Sequence, residues 1–384
     1  MRTLHFSAPG RLILGNGALA ELPGQVKRLA AGRVLVVTDA GLVRAGIAGR
    51  CMDLLAAASI DAVLYDGVTS DPHYGVVSDA LSFARRHGIA ALVGVGGGSS
   101  LDVAKVVSVL VTHEAPIDAL VGTDRVAGPG LPKLLAPTTA GTGSEVTPIT
   151  VLSDHDAHLK KGIVSEYLYA DVALIDPELA VGLPPQVTAF TGVDALCHAL
   201  EAYTNKYAQP FTDALALQAM RLIGASLRRA VACGEDLTAR YNMALASLYG
   251  GLCLGSVNTT AVHALAYPLG GSYDVPHGVA NSLLLPYVMQ FNLISNLERF
   301  RDVAVALGRP VAGLSLRAAA AQAIEAVQEL CADVGIVSRM RDLGIPHEAV
   351  QPMAVAAMQV TRLLSNNPRA VRLEDAEAIY EAAW

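Results

Sequence analysis

The pattern of predicted strands and helices changes once along the chain, and this change limits the possible folds more than any other feature. In the first half, apolar strand-like runs such as residues 91–95 alternate with helix-like segments. Strands that are apolar throughout indicate a parallel sheet covered by helices on both faces. After the Pro184-Pro185 pair the pattern is helical almost to the end. We therefore predict an α/β domain over residues 1–184 and an all-α domain over residues 185–384.

Local patterns predict the individual elements of these domains. β-branched and aliphatic runs indicate strands, whereas longer segments with helical periodicity indicate helices. The predicted strands are 33–37, 62–65, 91–95, 134–136 and 172–175, and the predicted helices include 74–87, 99–111 and 316–334.

The charge balance makes two classes of partner improbable. The chain carries 28 Lys and Arg against 35 Asp and Glu, a formal net charge of −7, without a basic cluster. Nucleic acids and anionic membrane surfaces attract basic proteins, so we expect neither as the main partner. No run of 18 apolar residues is present, and residues 1–17 lack the apolar core of a signal peptide. Five scattered cysteines without CxxC spacing fit a reducing compartment, and we predict a cytoplasmic protein.

A stretch of 33 residues, 241–273, contains no Asp, Glu, Lys or Arg. Although 52% of the chain is hydrophobic, this stretch includes five glycines and several polar residues, so it would make a poor membrane helix. Charged side chains are rarely fully buried, and a stretch without them is typical of a protein interior. We predict that this charge-free stretch is buried and forms the wall of a functional site.

A glycine-rich turn joins a predicted strand directly to a predicted helix. Its sequence, over residues 94–105, is GVGGGSSLDVAK. Consecutive glycines let a ligand approach the backbone, and the helix N-terminus presents free N–H groups with partial positive charge, which suits phosphate. The turn is neither GxGxxG nor a Walker A sequence. The alternative is a tight turn in which Ser99 is the N-cap and Asp102 completes a capping-box-like pair.

Two more polar segments follow predicted strands. Asp39 comes just after strand 33–37, and PTTAGTGSE, over residues 137–145, follows strand 134–136. A carboxylate at the C-terminal edge of a strand can accept hydrogen bonds from ribose hydroxyls, and it repels a 2′-phosphate. Ligands of open α/β sheets bind at this edge, so three polar loops together favour a nucleotide site. A helix cap at Asp39 and an ordinary Ser/Thr-rich turn at 137–145 are the alternatives.

Four side chains of the second half suit a metal ion. Asp194 and His198 are four residues apart, which places them on one helix face. His263 lies inside the charge-free stretch, and His277 lies four residues beyond its end. One carboxylate and three imidazoles suit a divalent transition metal with an open coordination position. The alternative is a helix-surface hydrogen bond between Asp194 and His198, with the other histidines bonded to carbonyls in the core.

Five segments of the chain, taken together, carry a family resemblance. They are GGGSSLDVAK, PTTAGTGSEVTP, DPEL followed after three residues by LPP, TGVDALCHALEAY, and HALAYPLGGSYDVPHGVANSLLLP. In this order and at this spacing they resemble the iron-containing (group III) alcohol dehydrogenase family, of the dehydroquinate synthase-like superfamily. The resemblance covers essentially the whole chain. It implies an N-terminal dinucleotide-binding α/β domain with a parallel sheet and an all-α, metal-binding C-terminal domain.

The resemblance also implies the functional residues. Metal ligation would fall on Asp194, His198, His263 and His277, with Fe²⁺ as the expected ion and Zn²⁺ as the substitute found in some members. NAD(H) is the expected dinucleotide, because Asp39 would repel a 2′-phosphate. The implied cofactor contacts are Asp39, Gly96, Gly97, Gly98, Ser99, Asp102, Thr138, Thr139, Thr142 and Lys160. A homodimer or larger assembly is the family expectation.

One position departs from the family pattern. Where HAxxHxLG is common in the family, this chain has HALAYPLG, so Tyr267 replaces a histidine often discussed as a proton-relay group. Tyr267 is therefore either a proton relay or a packing residue. Pro268 lacks an N–H group and is expected to end or bend the helix beside it.

The predicted function is reversible hydride transfer between NAD(H) and an alcohol or its aldehyde or ketone. In this hypothesis the ion held by His277 and the other three ligands binds the substrate oxygen and lowers the pKa of the alcohol. A maleylacetate-reductase-like or hydroxyacid dehydrogenase of the same superfamily is the alternative, and a dehydroquinate-synthase-like lyase is a more distant one. A catalytically silent nucleotide-binding or structural protein is the alternative outside the enzymes.

Overall fold

Two sheets form the framework of the first half of the protein. The computed structural model describes residues 3–154 and 159–384. Its strands are β1 (Arg11–Leu14), β2 (Val34–Asp39), β3 (Ala62–Val68), β4 (Ala91–Gly96), β5 (Gly122–Thr123), β6 (Lys133–Pro137), β7 (Ile149–Asp154), β8 (Leu159–Val164) and β9 (Val172–Ile175). The main sheet has the order β1-β9-β6-β4-β2-β3, and all its pairings are parallel. In the second sheet, β5 is parallel and β7 antiparallel to β8.

Helices cover the main sheet on both faces. The helices of this half are α1 (Leu22–Leu29), α2 (Ala40–Arg44), α3 (Ile47–Ala57), α4 (Tyr74–His87), α5 (Gly98–Thr112) and α6 (Ile117–Leu120). Because side chains alternate along a strand, Leu35 and Val37 pack in one cluster with α4 and α5. Val34 and Val36 point to the opposite face and pack with α1 and α3. The predicted α/β architecture is confirmed.

The second half is helical. Its helices are α7 (Pro185–Thr204), α8 (Pro210–Ala232), α9 (Leu237–Val257), α10 (Ala261–Tyr273), α11 (His277–Asn292), α12 (Leu297–Ala306), α13 (Leu316–Asp333), α14 (Val350–Ala357), α15 (Thr361–Leu364) and α16 (Leu373–Ala383). Their core is mostly aliphatic, and Tyr380 of α16 is one of its few fully buried aromatic side chains. Within the described residues, no helix is both long enough and apolar enough to cross a membrane.

The chain divides into two compact units. The α/β unit comprises residues 8–139 and 143–182, and the helical unit comprises residues 3–7, 140–142 and 183–384. The charge-free stretch lies in the helical unit, where it supplies most of α9 and all of α10. Most residues of these two helices are buried, which explains why charged side chains are absent from the stretch.

Candidate active site

Helix α7 carries three ionisable side chains on one buried face. Asp194, His198 and Glu201 are spaced by four and three residues, so they lie on the same side of the helix. Their exposed fractions are 2%, 4% and 1%. Three polar groups buried in an otherwise Ala- and Leu-rich helix require partners, because an unpaired buried polar group is costly.

Helices α10 and α11 bring two more histidines to this face. The Nε2 atoms of His263 and His198 are 3.1 Å apart, and Asp194 Oδ1 is 3.8 Å from His263 Nε2. Asp194, His263 and His277 each place one ligand atom within 4.8 Å of the others. The structure thus brings all four sequence-predicted metal ligands into one cluster, in which His277 is half-buried and the other three are buried.

In His198 and His263, Nδ1 has a hydrogen-bond partner and Nε2 faces the cluster. His198 Nδ1 lies 3.2 Å from the carbonyl oxygen of Gly141, and His263 Nδ1 lies 2.5 Å from Glu201 Oε2. With the proton of each ring on Nδ1, the two Nε2 lone pairs point towards each other across 3.1 Å. Lone pairs at this distance repel unless a cation lies between them, so the donor set fits a metal ion.

Glu201 is a central residue of the cluster that sequence reasoning missed. Its Oε1 accepts hydrogen bonds from the Thr260 hydroxyl at 2.6 Å and the Val262 N–H at 2.7 Å, while Oε2 accepts from His263. Burial alone would raise the pKa of Glu201, but His263 and these donors outweigh burial and lower it. Burial likewise acts to lower the pKa of His263, yet Glu201 raises it above the ordinary histidine value. Glu201 therefore holds the start of α10 and the ring of His263 together.

Asn281 is the second residue that sequence reasoning missed. Its Nδ2 lies 2.7 Å from Asp194 Oδ1, 3.0 Å from His263 Nε2 and 3.1 Å from His277 Nε2. Its Oδ1 is buried and has no hydrogen-bond partner among the described residues. One carboxylate oxygen and two imidazole nitrogens thus converge on a single donor, which marks a point of negative potential that suits a cation. The signal for both missed residues was helical spacing, Glu201 three residues after His198 and Asn281 four after His277.

Tyr267 lies near this cluster on α10. Its ring centroid is 6.5 Å from that of His277, and its side chain packs with Ala264 and Leu363. Of the two effects expected of Pro268, an end or a bend of the helix, the end is wrong, because α10 continues to Tyr273. Pro268 has no N–H group for the Ala264 carbonyl four residues before it. The nearby Leu265 carbonyl accepts a hydrogen bond from the Tyr380 hydroxyl at 2.5 Å.

The glycine turn has the geometry expected for phosphate. Gly96 ends β4 with φ 154°, and a Cβ there would lie 2.6 Å from Ser100, so only glycine fits. Gly97 is the N-cap of α5, which begins at Gly98, and no side chain caps this helix. The alternative with Ser99 as the N-cap is therefore wrong. The N–H groups of Ser100 and Leu101 donate to the Gly97 carbonyl, which leaves those of Gly98 and Ser99 available to an anion.

Asp102 belongs to a buried network that joins α5 to the loop before β7. Its Oδ1 accepts from the Ser144 hydroxyl at 2.5 Å, and its Oδ2 accepts from the Val151 N–H at 2.8 Å. Lys105 Nζ donates to Ser144 at 2.7 Å and to Thr147 at 3.2 Å. Burial lowers the pKa of Lys105 to about 8, although Asp102 opposes this shift. The proposed capping pair of Ser99 and Asp102 is not formed, because α5 is capped at Gly97 and Asp102 serves this network.

Glu145, next to this network, gives the protein a pH-dependent stability. Burial raises the pKa of Glu145 to about 7, above the value of 4.5 for an ordinary glutamate. Between these two values the unfolded chain releases the proton and the folded chain keeps it, so stability falls as the pH rises through this window. We expect Glu145→Gln to remove this loss. The variant should therefore gain stability over the native chain as the pH rises. From pH 4.5 to pH 8, the difference between their free energies of unfolding should change by about a few kcal/mol in favour of the variant.

Urea unfolding of the metal-free protein at pH 5 and pH 8 measures this effect. Glu166→Gln is the matched control, since Glu166 is exposed and close in sequence. If Glu145→Gln changed the free energy of unfolding equally at both pH values, Glu145 would not be the source of the pH dependence.

The other predicted cofactor contacts occupy three places. Asp39 ends β2, and its Oδ1 accepts from the N–H groups of Gly41 at 2.8 Å and Leu42 at 3.1 Å, so it caps α2. Lys160 on β8 forms an ion pair with Asp71 at 2.5 Å. In the polar loop, the Thr138 N–H donates to the Gly96 carbonyl at 2.9 Å. The Thr139 side chain lies 3.6 Å from where a Cβ on Gly97 would be. Thr142 belongs to the helical unit.

Two family models cover nearly the whole chain. Residues 9–177 match the model described as iron-containing alcohol dehydrogenase. Residues 188–384 match the model described as Fe-containing alcohol dehydrogenase family, C-terminal.

Individual proteins agree with the family models. The chain is 43% identical over 374 residues to long-chain-alcohol dehydrogenase 1 of Geobacillus thermodenitrificans, covering 97% of this chain and 94% of that one. It is 39% identical over 384 residues to sulfoacetaldehyde reductase of Bilophila wadsworthia, covering 100% and 99%. The crystal structure of a 1,3-propanediol oxidoreductase superimposes with a TM-score of 0.97, at 40% identity and full coverage of both chains.

Proposed function

Because this chain belongs to the iron-containing alcohol dehydrogenase family, and so interconverts alcohols with aldehydes or ketones, we propose that it does so with a divalent ion and NAD(H). The ion would be held by Asp194, His198, His263 and His277. The observation that carries this proposal is the convergence of these four side chains on one buried point. The family supports Fe²⁺ as the resident ion, and the donor set of imidazoles and one carboxylate also suits Zn²⁺.

The residues around the cluster prepare it for this chemistry. A divalent ion at this position supplies Lewis-acid stabilisation of charge that develops on the substrate oxygen. Glu201 and the Gly141 carbonyl accept from Nδ1 of His263 and His198, which directs the two Nε2 lone pairs towards the ion, and Asp194 contributes the negative charge. The charge-free stretch surrounds His198 and His263 with apolar residues. A Cβ on Gly250 would lie only 3.4 Å from the Cβ of His198. This packing excludes water and strengthens electrostatic interactions at the cluster.

The α/β unit supplies the features that suit NAD(H). A nicotinamide dinucleotide supplies the hydride acceptor for alcohol oxidation and the hydride donor for the reverse reaction. We propose that its diphosphate binds the first turn of α5 at Gly97, Gly98 and Ser99. Both capping bonds of Asp39 use Oδ1, and we propose that its Oδ2 accepts from a ribose hydroxyl. The contacts of Thr138, Thr139, Thr142, Asp102 and Lys160 with the cofactor stay predictions.

Three further features are part of the proposal. A proton-relay role for Tyr267 is supported by its position near His277 and stays a prediction. A cytoplasmic location is supported by the free cysteines, of which Cys51, Cys197, Cys253 and Cys331 are buried. A homodimer or larger assembly rests on the family expectation. The names of the relatives refer to different substrates. They therefore support the type of reaction and do not single out one substrate.

Metal-dependent turnover tests the proposed function. Protein loaded with Fe²⁺ without oxygen, or with Zn²⁺, is expected to form NADH from NAD⁺ with a panel of primary alcohols and diols. Elemental analysis should find about one ion per chain. Chelation should abolish turnover, and addition of the metal should restore it. Full activity in protein without metal would exclude the proposed mechanism.

Asp39 is expected to set the preference for NAD⁺ over NADP⁺. Its carboxylate would lie close to the 2′-phosphate of NADP⁺, and the repulsion should lower kcat/KM for NADP⁺ by about tenfold or more. We expect Asp39→Ser to raise kcat/KM for NADP⁺, because serine retains a capping oxygen for α2 without the charge. Asp53→Ser, an exposed position on α3, is the control. A native preference for NADP⁺ would contradict this role.

A further inference from the structure

Arg362 on α15 has a buried group without a partner. Its Nη1 is buried and makes no hydrogen bond, and among the described residues Arg362 forms no ion pair. The residue as a whole is half-buried. Burying a guanidinium N–H without an acceptor is unfavourable, because the lost hydration is not replaced. Such a group requires an acceptor from a molecule outside the described chain.

Helix α15 is held against α10, the helix that carries His263. Leu363 packs with Ala264 and Tyr267, which lie one and four residues after His263 on the same helix. Asn366 Nδ2, just after α15, donates to the Thr259 carbonyl at 3.0 Å, just before α10 begins. These contacts hold the second half of α15 and the residues just after it against α10 and its start, and Arg362 precedes Leu363. The backbone of Arg362 is therefore held next to α10, the helix that carries His263.

The charges around the cluster leave Arg362 without a counterion. Arg362 belongs to the segment that packs on α10 through Leu363, so its positive charge lies in the same unit as the carboxylates of Glu201 and Asp194. The carboxylates of Asp194 and Glu201 would balance a divalent ion. The positive charge of Arg362 then remains uncompensated in a buried site, which favours an incoming anion.

We propose that Arg362 binds an anionic group on the substrate, a carboxylate, sulfonate or phosphate carried by the same small molecule as the reacting carbon. This proposal rests on the proposed function, since it places the reacting oxygen at the metal cluster. A guanidinium can bind such oxygens through two parallel N–H donors, which also orients the molecule. The substrate class is therefore short aldehydes or alcohols with an acidic group at the other end.

Matched pairs of aldehydes test the proposal and distinguish the three anions. With NADH and metal-loaded protein, succinic semialdehyde is compared with butanal, sulfoacetaldehyde with propanal, and glycolaldehyde phosphate with glycolaldehyde. We expect kcat/KM for at least one anionic member to exceed that of its neutral match by about 10–100-fold. Arg362→Met should bring that ratio close to one, and Arg362→Lys should retain part of it.

Two controls separate a binding role from a structural one. Arg317→Met removes an exposed arginine of α13 and should leave the ratio unchanged. Calorimetric titration with ethanesulfonate, which coordinates metals weakly and does not react, should give binding to the native protein that Arg362→Met loses. Equal melting temperatures of the native and variant proteins would show that the variant is folded.

The contrary outcomes are distinct. Two results would contradict the role of Arg362 but not the proposed reaction. In the first, the native protein reduces neutral and anionic aldehydes with nearly equal kcat/KM. In the second, it prefers the anionic aldehyde and Arg362→Met keeps that preference. An effect of Arg362→Met on the KM of NADH alone would assign the arginine to the cofactor and also overturn it. No turnover of any member of the panel by metal-loaded protein would overturn both proposals.

Discussion

Replacing Asp194 with asparagine is expected to lower kcat for alcohol oxidation by about 10³-fold or more and to leave the protein with little bound metal. Asparagine has nearly the shape of aspartate but lacks the charge, so the cluster would offer three neutral imidazoles and an amide. Burial alone would raise the pKa of Asp194, but the three histidines outweigh burial and lower it. Asp194 is therefore ionised at neutral pH and is the only anionic ligand of the four.

Metal analysis together with single-turnover kinetics measures this prediction. Asp342→Asn, at an exposed position far along the chain, is the matched control and should keep both metal and activity. The apo form of Asp194→Asn should melt at or below the temperature of native apo protein, since the lowered pKa of Asp194 means that its charge stabilises the folded state and the variant removes it. Near-native kcat with a full equivalent of bound metal would show that Asp194 is not a ligand.

Replacing Glu201 with glutamine is expected to weaken metal binding by about 10–100-fold, although Glu201 itself does not contact the ion. Three donors converge on its two oxygens, namely the Thr260 hydroxyl, the Val262 N–H and His263 Nδ1. Glutamine has only one acceptor oxygen. If its amide nitrogen faces His263, the proton of that ring moves to Nε2 and blocks the ligand atom. If it faces Thr260 and Val262, the start of α10 loses two hydrogen bonds.

Competition with a chromophoric chelator measures the metal affinity directly, without reference to turnover. Thr260→Val is the matched control, because it removes one donor to Oε1 and leaves the bond between Glu201 and His263 intact. We expect Thr260→Val to lower stability but to change metal affinity less than Glu201→Gln. Equal affinities for native protein and Glu201→Gln would show that the carboxylate does not determine the state of His263.

Sequence reasoning predicted the elements with long, regular patterns. The predicted strand 172–175 and helix 74–87 coincide with β9 and α4. It did not predict β1, β5, β7 or β8. Strand β1 lies at the edge of the sheet and is partly exposed, and β5 has only two residues. Neither therefore has a strong apolar pattern in the sequence. The helix through Pro268 was missed for a different reason, because tertiary contacts in a packed helix can outweigh local propensity.

The sequence predicts the residues of the site only in part, as it does the elements. Asp194 and His198 follow from helical spacing, but their meeting with His263 depends on the packing of α10 against α7, which no local pattern encodes. Glu201 lies within one of the five family segments, but a carboxylate that supports a ligand has no spacing rule of its own, so the sequence does not predict its role. Ser99 looked like an N-cap because serine favours that position. The three glycines before it allow the N-cap to lie two residues earlier, at Gly97.

The ligands of the cluster come from helices that are distant in the chain, with His198 and His263 separated by 65 residues. An ion bound to all of them would act as a cross-link that closes long loops of the helical unit, much as a disulfide does. It would bind the folded form only, so the melting of the helical unit should depend on free metal concentration. The α/β unit contains none of these ligands and should not respond. Scarcity of metal would then shorten the lifetime of the chain in the cell as well as stop its chemistry, since proteases remove unfolded segments.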